Sequence, residues 1–159
     1  MCIRDSLKVI RERIANALHI LDRFHIVSHL NGAVDEVRRG EMARLRQRGD
    51  PRLSLLKRMR WSLLKKRSRV RGHARQRLDA LIASKQPTAR AALLKEAFQH
   101  FWTYGSYHGA RRFLEAWCQR TMRSRIEPMK KVARMLRSHQ PLILNWFLAK
   151  GELSSGAVE

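Results

Sequence analysis

An acidic residue and a histidine stand close together near the start of the chain. Asp22 directly follows a short apolar run at residues 17–21, and His25 comes three residues later. The apolar run is typical of a buried strand, and α/β proteins place functional groups at the C-terminal ends of their strands. The two side chains can therefore share one polar pocket, although this spacing alone is weak evidence of function.

A dense run of positive charge occupies the middle of the chain. Between Pro51 and Leu78 there are eleven Lys or Arg residues and no Asp or Glu, so we expect nothing internal to neutralise the charge. Solvated helix faces usually mix both signs, which favours contact with a polyanion, above all nucleic-acid phosphate. The residues predicted to bind DNA are Lys57, Arg58, Arg60, Lys65, Lys66, Arg67, Arg69 and Arg71.

The aromatic residues allow two interpretations. Trp61 lies within the basic run, where an exposed ring could stack on a base, but its spacing with Leu56 and Leu64 favours a core or interface position. A second group could supply a subunit interface, although core packing is the simpler explanation. Its members are Phe98, Phe101, Trp102 and Trp117.

Zinc and disulfide chemistry are not expected. Of seven histidines only His25 and His29 stand at i, i+4, and the Glu that follows the first His of a zincin helix is missing. Cys2 and Cys118 form neither a disulfide framework nor a paired-thiol metal motif. This use of cysteine favours a reducing compartment.

The composition is that of a folded, strongly basic protein. The 159 residues include 34 Lys or Arg and 13 Asp or Glu, for a formal net charge of +21. A hydrophobic share of 44% is too high for a disordered polycation, and the length suits one domain. The sequence has neither an apolar run of about 20 residues nor the apolar core of a signal peptide. We expect a cytoplasmic protein without membrane contact.

Nearly everything after Asp22 is predicted to be helical, because apolar residues recur at i, i+3 and i+4. A final long helix is expected to begin at Pro128 and to kink at Pro141. A single strand before these helices cannot form a sheet, so we expect a fragment cut at both ends. The other predicted helices cover residues 24–48, 52–66, 72–84, 89–104 and 107–122.

Three stretches resemble the DDE transposases of bacterial insertion sequences of the ISL3 type. They are residues 17–26, which contain Asp-Arg-Phe-His, residues 31–38, and the closing Ser-Gly-Ala-Val-Glu within residues 153–159. The likeness extends from about Leu7 to Glu159, and the helical middle is similar in order and length. The resemblance implies an enzyme that cuts DNA at insertion-sequence ends and transfers the strands.

The resemblance also implies an architecture. The chain is expected to be mainly α, as a fragment of an α/β RNase H-like core with a long all-helical insertion. Residues 1–6 do not resemble the family and are interpreted as a foreign or artefactual junction. Residues 7–26 would be a piece of the core, 27–150 the insertion, and 151–159 the start of the core helix with the last catalytic Glu. Because the first catalytic Asp is expected upstream, the isolated chain is expected to be inactive.

The implied site consists of carboxylates around two divalent metal ions, Mg²⁺ or Mn²⁺. By motif, the last of these carboxylates is Glu159. Asp22 and His25 resemble a supporting pair found after a neighbouring strand, and a direct metal-ligand role for Asp22 is the alternative. The implied catalytic residues are therefore Glu159, Asp22 and His25, with Glu159 and Asp22 as metal ligands. We expect Glu159 to approach the other two in space.

The expected partners are DNA, both insertion-sequence ends and target, and further copies of the protein. A bacterial cytoplasmic location at the nucleoid is implied. The alternative is a non-catalytic, helical, basic nucleic-acid-binding protein, since charge and helices alone support that class. An assembly module is a third interpretation.

Overall fold

The computed structural model describes residues 21–149, in which all regular structure is helical. The mainly α character is therefore confirmed over this range, whereas Leu21, the last residue of the predicted strand, is not in a strand. Ala17 to Ile20 of the predicted strand and Glu159 lie outside the described residues. The α-helices are α1 (Arg23–Gln47), α2 (Leu53–Leu56), α3 (Arg60–Leu64), α4 (Gly72–Ala83), α5 (Pro87–Phe98), α6 (Tyr107–Met122), α7 (Glu127–Ser138) and α8 (Gln140–Leu148), with 3₁₀ helices at Arg67–Arg69 and Gln99–Thr103.

Helix α1 is the scaffold on which the other helices pack. It contacts α2, α3, α5 and α7. Its buried side chains recur every three or four residues and so form one continuous apolar stripe. Its apolar members are Ile26, Leu30, Ala33, Val34, Val37 and Leu45, and the buried Glu41 occupies the position between the last two. None of the helices in the described part of the chain is long and apolar enough to span a membrane.

An aromatic cluster fills the core between α5, α6 and the 3₁₀ helix after α5. The ring centroids of Phe98 and Trp117 are 4.9 Å apart, and those of Phe98 and Phe101 are 5.2 Å apart. The Trp117 indole N–H donates to the carbonyl of Leu94 at 2.9 Å. All three rings and Trp102 are buried, so core packing is confirmed as their role.

The predicted helix over residues 52–66 is wrong, because two short helices replace it. Helix α2 ends at Leu56, Lys57 is extended, and Arg58 adopts a positive φ of 62° before α3 begins. Helices of four or five residues owe their stability to tertiary packing, and both of these contact α1 and α4. Leu56, Met59 and Leu63 are buried by this arrangement.

The final helix is also divided rather than kinked. Helix α7 ends at Ser138, His139 leaves helical geometry with φ −112° and ψ 17°, and α8 begins at Gln140. Pro141 lies in the first turn of α8, where a missing backbone N–H costs nothing. The proline thus allows a new helix to begin, and the predicted single kinked helix is wrong.

Candidate acidic site and nucleic-acid interface

The structure brings Asp22 and His25 together at the start of α1. Asp22 is extended and caps the helix, because its Oδ1 accepts the Phe24 backbone N–H at 3.0 Å. Its Oδ2 lies 3.4 Å from Nδ1 of the exposed His25. On the same helix, partial burial and the neighbouring His25 and His139 lower the pKa of His29. A positive charge on His29 is therefore disfavoured.

The start of α1 lies against α8, near the other end of the described chain. The Leu21 backbone N–H donates to the Leu142 carbonyl at 3.1 Å. The Arg23 guanidinium carbon is 5.4 Å from the centroid of the Trp102 ring, which packs edge-on against Trp146. The two ends of the described helical region therefore lie close together.

The described residues do not by themselves fit a divalent metal ion. Within residues 21–149 no group of three or more His, Cys, Asp or Glu side chains could hold a metal. Asp22 has a structural role as a helix cap, and its predicted neighbour Glu159 lies outside this range. The approach of Glu159 to Asp22 and His25 stays a prediction.

Two substitutions separate the cap from the negative charge of Asp22. We expect Asp22→Asn to change the free energy of unfolding by less than about 0.5 kcal/mol, because Asn caps helices as well as Asp does. Asp22→Ala should lower it by about 1 kcal/mol through loss of the bond to the Phe24 N–H. Urea denaturation measures both. Equal losses in the two variants would show that the charge, and not the cap, stabilises the fold.

The second candidate site is the basic segment, defined here as residues 57–71. Its chain runs from the end of α2 through α3 and the 3₁₀ helix to the start of α4. Lys65 and Lys66 are extended and join α3 to the 3₁₀ helix. Seven of the eight predicted DNA-binding residues are exposed: Lys57, Arg58, Arg60, Lys65, Lys66, Arg69 and Arg71.

Arg67 differs from the other seven because it is half-buried and paired. Its Nη2 lies 2.7 Å from Oδ1 of Asp79, and Nε of Arg75 lies 2.9 Å from Oδ2 of the same carboxylate. These two guanidinium groups hold the pKa of Asp79 below its ordinary value. The expectation that nothing internal neutralises the basic run is thus wrong for Arg67 and Arg75, and also for Arg52, whose Nη2 lies 2.5 Å from Oδ2 of Asp50. The partners, Asp50 and Asp79, lie just outside the acid-free stretch on either side.

A buried lysine anchors the basic segment to the core. Lys95 on α5 is only 4% exposed, and its Nζ donates to the carbonyls of Leu63 and Lys65. The contacts satisfy carbonyl groups at the end of α3 that have no partner within the helix. Burial lowers the pKa of Lys95 to about 8. Sequence analysis missed this residue, although Lys95 shares a helical stripe with the apolar Ala91 and Phe98.

Trp61 projects from this segment instead of packing in the core. It is 67% exposed, so the predicted core position is wrong, and the alternative interface position stays a prediction. The guanidinium carbon of Arg60 lies 5.1 Å from the centroid of its ring. Within α3 only Leu63 is buried, because so short a helix can turn just one side chain fully into the core.

A cavity of about 330 Å³ lies between the first turns of α1 and the basic segment. Its lining includes Phe24 beside Asp22, Asn31 on α1, Lys66 of the basic segment and Glu96 of α5. Residues from the start of α1 and from the basic segment therefore line the same cavity. The sequence did not predict that these two elements lie close together, because they are far apart along the chain.

Comparisons with known proteins agree with the resemblance seen in the sequence. A family model described as "Transposase" matches residues 5–159. The chain is also similar to the transposase for insertion sequence element IS1001 of Bordetella parapertussis, with 28% identity over 121 residues. That alignment covers 76% of this chain but 30% of the relative, so the chain spans less than a third of that protein. No solved structure matches the chain significantly.

Proposed function

Because the chain belongs to the ISL3-type family of transposases, we propose that it serves DNA transposition as the helical, DNA-holding part of a DDE transposase. The reaction of the whole enzyme is metal-dependent cleavage of DNA strands at insertion-sequence ends and transfer of those strands. The substrate of this chain is the DNA backbone.

The exposed basic segment is the observation that carries this proposal. Seven cations lie on a short path of chain, and among residues 21–149 no carboxylate forms an ion pair with any of them. Lys95 fixes one end of α3. The ion pair of Arg67 with Asp79, and the hydrogen bond that Arg75 donates to the Arg67 carbonyl, hold the following 3₁₀ helix to α4. Cations fixed in this way can neutralise successive phosphates and release their counterions.

The proposed catalytic residues are Asp22, His25 and Glu159, with Asp22 and Glu159 as ligands for Mg²⁺ or Mn²⁺. Support comes from the family and from the contact between Asp22 and His25. The bond between Leu21 and Leu142 fits a helical insertion at residues 27–150 whose two ends meet at an RNase H-like core. Assembly into homo-oligomers and a location at the nucleoid belong to the same proposal.

The second candidate is a non-catalytic, helical nucleic-acid-binding protein. It is favoured by the basic segment, whose fixed geometry depends on Lys95 and Asp79 and not on the acidic site. Both candidates require DNA binding, and only the first requires the carboxylates. Within the first, the isolated chain should bind DNA without cutting it.

A salt titration tests DNA binding by the 159-residue chain. If the basic segment neutralises about six phosphates, log K against log salt should slope at roughly −5 on duplex DNA. Binding should be similar for duplexes of unrelated sequence, because phosphate contacts carry no base information. Fluorescence anisotropy with labelled duplexes measures both. An affinity that does not change with salt would contradict the proposal.

A further inference from the structure

Trp61 is exposed where the other described tryptophans are not. Trp102 and Trp117 are buried and Trp146 is half-buried, and all three take part in the aromatic cluster. Trp61 shows 67% of its surface even though the Arg60 guanidinium lies over its ring. An indole on the surface forgoes the burial that normally stabilises it, and tryptophan is enriched at binding interfaces because its ring offers a large apolar contact area.

The ring is displayed on a turn held firmly on both sides. Met59 before it and Leu63 after it are buried, and the Leu63 N–H bonds to the Met59 carbonyl at 3.0 Å. Lys95 then closes the end of the helix. The surrounding contacts thus maintain the outward position of Trp61.

The surroundings of Trp61 are cationic. Lys57, Arg58, Arg60 and Lys65 lie within four residues of it, and all four are exposed. Their charge suits a phosphodiester chain, while the ring offers a flat apolar surface between the charges. A groove of cations with an aromatic platform is how proteins bind single-stranded nucleic acid.

We infer that Trp61 stacks on an unpaired base of DNA while the neighbouring cations hold the phosphates on either side. The inference rests on the proposed DNA binding and extends it to a substrate class, a single-stranded or locally opened stretch. Bases within a duplex are already stacked on one another, so the ring can reach only a base that has left the helix. The Arg60 guanidinium would support the ring from its other face.

The experiment compares three labelled ligands of equal phosphate number: a single strand with bases, an abasic single strand and a duplex. The 159-residue chain is tested beside Trp61→Leu, which keeps an apolar side chain without a π-face, and Trp61→Phe, which keeps a ring. Base stacking contributes about 5- to 150-fold in affinity. We expect Trp61→Leu to lose about that much on the single strand with bases and little on the other two ligands. Trp61→Phe should retain most of the affinity.

Several results would overturn the inference. Equal losses by Trp61→Leu on all three ligands would show that the residue supports the fold or the phosphate contacts only. Unchanged binding to the single strand would show that no base stacks there, and a lower oligomeric state of the variant would identify Trp61 as a subunit contact. Wild-type chain that binds none of the ligands would instead refute the proposed function, so the two failures are distinguishable.

Discussion

Replacing Lys65, Lys66, Arg69 and Arg71 together with Glu should weaken duplex DNA binding on the order of 100-fold or more at moderate salt. These four side chains are exposed, and in the described structure none is paired with a carboxylate, so each is available to a phosphate. If four of about six phosphate contacts are lost, the slope of log K against log salt should flatten from roughly −5 to about −2. All sequences should lose affinity about equally.

Arg67 is left out of this set for a structural reason. Its guanidinium pairs with Asp79, and a Glu at that position would face the carboxylate and disrupt the contact between the 3₁₀ helix and α4. Reversal of Arg67 would therefore confuse loss of folding with loss of DNA binding. Substitution of the four chosen residues changes the surface charge, while the contacts of Arg67 with Asp79 and of Lys95 with α3 remain.

A matched control separates the basic segment from net charge. Glu at Arg112, Arg120, Arg123 and Arg125 changes the total charge by the same amount at four other exposed positions. We expect a loss smaller than about tenfold and a change in slope below about one. Equal effects of the two sets, measured by fluorescence anisotropy over a salt series, would mean that total charge and not the segment governs binding.

Glu41→Ala should lower the free energy of unfolding by about 3 kcal/mol, because it leaves buried donors without a partner. Glu41 on α1 is only 4% exposed. Its Oε2 accepts the backbone N–H of Thr88 at 2.8 Å and the Thr88 hydroxyl at 2.6 Å. The carboxylate thereby joins α1 to the first turn of α5, where negative charge is favourable. Urea denaturation measures the change.

Two further variants test the cause. Glu41→Gln keeps the length and an acceptor but not the charge, so it should cost about 1 to 2 kcal/mol. Glu36→Ala removes an exposed acid of the same helix whose contact with Lys131 is long, at 3.7 Å, and should change stability by less than about 0.5 kcal/mol. If Glu41→Ala behaved like Glu36→Ala, the bond to Thr88 would contribute nothing to the fold.

The hydrophobic pattern of the helices indicates that Glu41 and Lys95 are buried. Glu41 continues the buried stripe of α1, four residues after Val37 and four before Leu45. A charged residue on an apolar stripe must find a partner when it is buried. The pattern thus marks both residues as unusual. It cannot name Thr88 or the carbonyls of α3 as partners, because these lie far away in the chain and meet them only through packing.

Local signals predicted the helices well where they were strong. Helix α6 has the predicted bounds and α4 begins at the predicted Gly72, whereas α5 begins at Pro87, two residues before its predicted start. Predictions failed at residues 57–59 and at His139, where the apolar period continues across a break in the backbone. The periodicity of apolar residues indicates which helix face is buried. It does not locate a break, because two successive helices can bury the same face.

The sequence by itself determined the helical character of residues 21–149, the strong positive charge and the membership of a transposase family, because these depend on local spacing, composition and motifs. Only the tertiary structure decided which cations stay available and which, like Arg67, are bound to a carboxylate. It also placed Trp61 outside the core and the start of α1 beside α8. The physical reason is that these outcomes depend on contacts between residues remote in sequence, and such contacts form only when the helices pack together.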